Sequence, residues 1–295
     1  MPRVVKTSVL TLVRGRHAHL INLMHGLNAQ LSPPDELIIA WMQTDIDEDL
    51  PATDFPVRHI RVAGSDLPLA RARNFAAECA RHEGLIFLDV DCIPAPELVR
   101  CYREALANQT GLFMGEVRYL PAGAVRVDPP GALDFERLNR LGEIHPARPA
   151  LGSDAPIPEG DPGQLWGLSF ALRRSDHERA GGFDEAYEGY GGEETDYAWR
   201  LASAGVDFYW LAGARAWHQH HPLYRPPYPH FDAIIANARR FHARWGRWCM
   251  DYWLGMFRDA GLVEWSPSAR DIVVLRQPKP AEIDSARLNG EVRYG

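Results

Sequence analysis

The sequence predicts an α/β protein, with a sheet of mainly parallel strands and helices on both of its faces. Two observations carry this expectation. Strand-like and helix-like segments alternate through roughly the first hundred residues, as they do in βαβ chains. The apolar run GLIFL also ends abruptly in Asp89-Val90-Asp91, and in such folds ligands gather at the carboxyl ends of strands. In order, SVLTLV is rich in β-formers, and HLINLMHGLNAQL repeats its apolar residues at three and four. ELIIAWMQ and VRHIRV follow as strands, LARARNFAAECA as a helix and LIFLDVD as a strand.

From about 108 to 165 the pattern weakens while Pro and Gly multiply, which predicts long loops around short strands. Such loops are often lids. QLWGLSFALRR resumes as a strand, EETDYAWRLASAG as a helix ending at Gly205, and VDFYWL and ARAWH as two short strands. The tail, FDAIIANARRFHARWGRWCMDYWLGMFRDAG, reads as a long amphipathic helical stretch packed on the core. The expected organisation is therefore a catalytic domain over 1–225 and a helical extension over 226–295.

Composition narrows the function classes. The 295 residues are 46% hydrophobic, enough for a substantial core. A net charge of -7, with 32 basic and 39 acidic residues scattered along the chain, argues against nucleic acid as a partner. Four cysteines without CxxC spacing read as free thiols in a reducing compartment, so cytoplasm is the expected location. No stretch approaches the apolar length of a bilayer span, which leaves peripheral membrane association at most.

Three clusters carry the chemistry. Asp89 and Asp91 would point to one side of an extended strand, or fan around a common point in a turn. Two such carboxylates repel unless a divalent cation lies between them, and oxygen ligands suit magnesium or manganese. A strand end whose acids cap a following helix, with Pro94 and Pro96 marking its start, is the plainer alternative. The second cluster, GYGGEETD, sets Glu193, Glu194 and Asp196 behind Gly189, Gly191 and Gly192. It reads either as a well-capped helix start or as a pocket carboxylate able to act as a general base. The third, AWHQHHP, offers His218, His220 and His221, and neutral imidazole is a good manganese ligand.

Taken in order, these segments resemble a glycosyltransferase of the GT-A fold: family 2 enzymes, with a C-terminal half similar to the β-1,4-galactosyltransferase group. The residues that carry the likeness are Phe87 to Pro94 (FLDVDCIP), Gly167 to Arg173 (GLSFALR), Gly181 to Asp184 (GGFD), Gly189 to Asp196 (GYGGEETD) and His218. The likeness covers roughly residues 5–222. It implies a Rossmann-like mixed sheet flanked by helices, and Mn2+ or Mg2+ held by Asp91 and His218. Asp89 would contact the nucleotide ribose or the metal through water, Glu194 would be the catalytic base, and Glu193 would hold a sugar. Thr11, Val13, Arg14 and Asp45 would cradle the base, and Arg73, beside Asn74 in an R-N segment, would reach a phosphate. Trp166 and Gly192 complete the implied substrate contacts.

The chain departs from the group's pattern at three places. Tyr190 replaces a mobile tryptophan, Thr195 interrupts the acid run, and Arg215 stands where a methionine ligand is kept. Arg215 cannot ligate a metal but could pair with the diphosphate, leaving water or His220 to complete the site. The implied reaction is an inverting, metal-assisted transfer of a sugar, of galactose or N-acetylgalactosamine type, from a nucleotide diphosphate (a UDP-sugar by resemblance) to an acceptor hydroxyl. The acceptor would be a glycan, a lipid-linked intermediate or a small molecule. The region 121–163 is expected to order over the donor. A retaining GT-A enzyme and a non-catalytic nucleotide-sugar-binding protein are the alternative readings.

Overall fold

A computed structural model describes residues 5–64, 67–128, 131–152, 155–290 and 292–294. The expected alternation appears as β1 (Thr7–Val13), α1 (His17–Asn28), β2 (Glu36–Trp41), β3 (Val57–Arg61), α2 (Leu69–Cys79) and β4 (Gly84–Leu88). β5 (Cys92–Pro94), α3 (Leu98–Asn108) and β6 (Leu112–Tyr119) follow. The Pro- and Gly-rich stretch holds β7 (Val127–Asp128), β8 (Ala132–Leu133), α4 (Phe135–Leu141), β9 (Glu143–Ile144) and β10 (Ile157–Glu159). Then come β11 (Ser169–Arg173), α5 (Arg174–Arg179), α6 (Glu193–Ser203) and β12 (Phe208–His218). The tail forms α7 (Phe231–Trp245), α8 (Asp251–Asp259), β13 (Val263–Glu264), β14 (Val273–Val274) and α9 (Pro280–Ser285).

One mixed sheet runs β10-β12-β6-β11-β4-β1-β2-β3, with β5 added to β12 and β9 to β6. β4, β1, β2 and β3 are parallel neighbours, as are β12 and β6, while β11 runs antiparallel between β4 and β6. The carboxyl ends of β1, β2, β4, β6 and β12 therefore share one edge with the amino end of β11. DVD, after β4, and the histidines at the end of β12 open onto that edge. The central strands are buried on both faces, and their side chains alternate between two cores. Ile86 and Leu88 of β4 face the core that holds Leu20, Leu23 and Leu27 of α1, whereas Leu85 and Phe87 face Ala76 of α2 and Leu201 of α6.

Five expectations change. The weak pattern over 108–165 conceals β6, an eight-residue strand in the middle of the sheet, because Gly115, Glu116 and Arg118 break its apolar run. VDFYWL and ARAWH are one strand, β12, whose pairing with β6 shifts register between Leu211 and Ala216. Pro94 lies in β5 and does not open a helix. The long tail helix is two, divided where Gly246 takes φ 66°, a left-handed conformation that suits glycine. Within the stretch expected to act as a lid, β9 and β10 pair with β6 and β12, so part of it belongs to the sheet. Pro129, Pro130, Ser153 and Asp154 of that stretch lie outside the described residues.

Candidate active site

The acid pair turns instead of continuing β4. The Cys92 amide donates to the Asp89 carbonyl (2.8 Å) and the Asp91 amide to the Asp89 carboxylate (3.3 Å), which closes a tight turn into β5. β5 then pairs antiparallel with the end of β12, setting Cys92 opposite His218. This pairing brings Asp91 to the histidines although they are far apart in sequence. The Gln219 amide donates to the Asp91 carbonyl (2.7 Å), and the Gln219 side chain accepts from Asn22 and donates to the His19 carbonyl.

Asp91, His218 and His221 present ligand atoms that all lie within 4.8 Å of one another. The third member is His221, not His220. The His218 ring is 8% exposed and its Nδ1 has no hydrogen-bond partner among the described residues. A buried imidazole nitrogen without a partner is costly unless a ligand satisfies it, and this donor set fits manganese better than the all-oxygen shell magnesium prefers. Burial drives the His218 pKa down to about 4, so its ring is neutral, the form that binds a metal. Asp91 behaves oppositely. Burial alone would raise its pKa, but a hydrogen bond from His19 and the charges of His218 and Arg16 bring it down to about 2. Asp89, partly buried beside that charge, is pushed up to about 6 by burial and by Asp91.

The second wall is the N-terminus of α6. Gly191 and Gly192 carry φ of 93° and 90°, left-handed values that favour glycine, and Gly191 lies against the Met250 sulfur just ahead of α8. The acid run divides its work. Glu193, 3% exposed, accepts from Arg73 Nη1 (2.8 Å). Asp196, fully buried, accepts from Arg244 Nη1 (3.0 Å) and Trp245 Nε1 (2.9 Å) and ties α6 to α7. Glu194 is left with a partly buried carboxyl whose Oε2 has no hydrogen-bond partner among the described residues. Burial first, then the neighbouring Glu193 charge, raises its pKa well above the usual glutamate value. Arg73 is also shifted upward: burial opposes its charge, but Glu193, Glu194 and Asp89 outweigh it. Gly167, just before β11, lies against both, since a Cβ there would be 3.1 Å from Arg73 Nη2 and 3.7 Å from the Glu194 Cβ.

Other expected contacts are placed differently. Thr11 and Val13 are fully buried within β1, so that strand end offers Arg14 and the Gly15 backbone to the surface; the Gly15 amide donates to Gln43 (2.7 Å). Asp45 is exposed after β2. Asn74 spends its amide on the turn after α5, donating to the Phe183 carbonyl (2.9 Å) and accepting from the Phe183 amide (2.8 Å). Trp166 lies under the Arg148 guanidinium, 3.2 Å from its ring centroid. Arg215, proposed for the diphosphate, has its Nε donating to Glu116 (2.6 Å) and its Nη1 to Asn139 (3.2 Å). Sequence reasoning missed His19 and Arg16, both on the Asp91 carboxylate. The basic run RGRHAH directly after β1, at the ligand-bearing edge, was the available signal.

Comparisons with known proteins bear on the fold that carries this site. Residues 149–225 match a family described as the N-terminal domain of galactosyltransferase. Hyaluronan synthase of Pasteurella multocida is 26% identical over 189 residues, covering 56% of this chain and 19% of the synthase. Chondroitin synthase of Escherichia coli is 25% identical over 189 residues, covering 56% of this chain and 27% of that protein. The chain thus spans less than a third of the length of these curated relatives. Among solved structures, GalNAc-T7 with UDP, GalNAc and Mn2+ superposes with a TM-score of 0.56 at 16% identity, over 75% of this chain and 45% of that one. The fold is that of the GT-A glycosyltransferases, and the matched sequences belong to sugar-polymer synthases and galactosyltransferases. The segment that resembles the galactosyltransferase family runs from before β11 through the end of β12. No helix among the described residues is long and apolar enough to cross a membrane.

Proposed function

We propose that the chain transfers a sugar, of galactose or N-acetylgalactosamine type, from a nucleoside diphosphate donor to an acceptor hydroxyl with inversion at the anomeric carbon. The observation that carries this reading is the meeting, at one sheet edge, of the Asp91–His218–His221 triad with the Glu193–Glu194 carboxyl pair, in which Arg73 is paired to Glu193 and Glu194 Oε2 has no hydrogen-bond partner among the described residues. Asp91, His218 and His221 would hold a manganese ion, which when bound supplies positive charge to the leaving diphosphate. Arg16, 3.4 Å from Asp91, adds a cation on the same side. Glu194 takes the proton of the attacking hydroxyl, and its raised pKa makes it the stronger base once ionised. Glu193 is committed to Arg73 and acts by holding that guanidinium beside Glu194. A uridine donor is supported by the UDP in the GalNAc-T7 structure, and a cytoplasmic site by the free thiols of Cys79, Cys92, Cys101 and Cys249.

A thermal-shift panel of nucleotide sugars with and without manganese tests the donor side, because a ligand of the folded state raises its melting temperature. UDP-sugars should stabilise the protein only with the metal. NMR of the product then reads the anomeric configuration: inversion supports the single-displacement role of Glu194, and retention would remove it.

A further inference from the structure

The two histidines of the triad are held in different ways. His221 is tied by a backbone group: its Nδ1 donates to the Pro222 carbonyl (3.1 Å), which leaves Nε2 to face Asp91 at 3.4 Å. A metal-ligating histidine usually has its second nitrogen fixed like this, because the hydrogen bond sets both the tautomer and the plane of the ring. His218 lacks such a bond. Its Nδ1 is buried without a partner among the described residues, and the rings packed on it are Tyr119 (centroids 4.9 Å, interplanar 34°) and His221 (5.3 Å, 56°). Strand pairing brings Tyr119 to that place. The register of β12 on β6 slips, so that Leu211 pairs with Gly115 but Ala216 with Val117, and His218 comes opposite Tyr119. The Leu120 amide then donates to the His218 carbonyl (2.9 Å), which holds the two strand ends together. Tyr119 also meets His145 (5.8 Å) and, in a T-shaped contact, Tyr294 (5.7 Å), and only 8% of it stays exposed. It lies ahead of the segment that matches the galactosyltransferase family.

We infer that Tyr119 is a positioning residue of the metal site: its ring, packed against His145 and Tyr294, sets the plane of His218 in place of the missing hydrogen bond. The inference rests on the manganese reading proposed above and adds the residue that aims one of its ligands. Aromatic pairs at this separation attract each other beyond the area they bury. A ring enclosed by close-packed neighbours also cannot swing without displacing them. Stacking takes no lone pair from the imidazole, so the nitrogen that faces the site stays available to a cation. An aliphatic side chain of similar bulk fills the same space but offers no flat face, and the imidazole would then sample several planes. The support differs in kind from that of Asp91, which His19 holds by a hydrogen bond.

Calorimetric titration of manganese into the full chain, with UDP present, tests this. Tyr119→Leu should weaken manganese binding about three- to tenfold, and Tyr119→Phe, which keeps the ring, should restore it. A second readout separates aim from general loosening. At saturating cobalt, the ring protons of His218 and His221 give shifted NMR signals, assigned by their loss in His218→Ala and His221→Ala. Tyr119→Leu should move or broaden the His218 signals and leave those of His221 in place. Should Tyr119→Leu fail to fold, Tyr119→Met, unbranched and able to fill an irregular gap, carries the same expectation. Two results overturn the inference while leaving the metal reading intact: the aliphatic variant binds manganese as the unaltered chain does, or the signals of the two histidines respond alike. An unaltered chain that takes up no manganese would sink the metal reading itself, and this inference with it.

Discussion

The two walls of the site treat their carboxylates in opposite ways. Around Asp91 the chain gathers His19, Arg16, His218 and His221, and the carboxylate stays ionised down to about pH 2. Around Glu194 it places another acid, Glu193, spends the nearby Arg73 on that neighbour, and leaves one carboxyl oxygen without a partner. The first arrangement makes a permanent anion, which is what a cation site requires. The second makes a carboxyl with high proton affinity, which is what a general base requires. Environments that drive two carboxyl groups apart in pKa assign them different roles, even where sequence shows only two acidic motifs.

The largest effect should fall on the base wall. Glu194→Gln keeps the shape of the side chain and should cut turnover roughly a hundred- to ten-thousand-fold, with UDP affinity unchanged in calorimetry. On the metal wall, His19→Ala removes a support of Asp91 and should weaken manganese binding about ten- to a hundredfold, read by titrating the metal against transfer and against thermal stability. An equal loss of nucleotide affinity in both variants would erase the contrast between the walls.

The pH response separates them further. Because the Glu194 pKa is raised, kcat/KM should climb with pH beyond the ordinary glutamate range as the base loses its proton. Stability should run the other way. From about pH 4.5 upward the folded state holds a proton that the unfolded chain has released, so stability declines as pH rises toward the folded pKa. Glu194→Gln should flatten that decline in a series of thermal melts. The smallest expected effect is structural: Asp196→Asn weakens the tie from α6 to Arg244 and Trp245 and should cost about 2 kcal/mol in denaturant unfolding, while manganese binding persists.

Legibility in the sequence followed the same division. β1, β2, β4 and α1 were readable because buried strands and an amphipathic helix have clear periods. β6 was not, since its polar Glu116 and Arg118 pair with each other beside Arg215, a compensation visible only in three dimensions. DVD and AWH were visible as motifs, but the choice of His221 over His220 depends on how the chain leaves β12. The support from His19 depends on α1 starting directly behind the turn. Likewise, apart from the family resemblance, nothing in the sequence separates Glu193, Glu194 and Asp196 from one another. Only the positions of Arg73 on α2 and Arg244 on α7 show that two of them are already paired.

The most direct test of the account is the rate of sugar transfer by Glu194→Gln at saturating UDP-sugar and manganese, measured beside its nucleotide affinity. The account predicts normal binding with turnover near background. Near-normal transfer by that variant would contradict it, and the two walls would then no longer divide charge and proton between them.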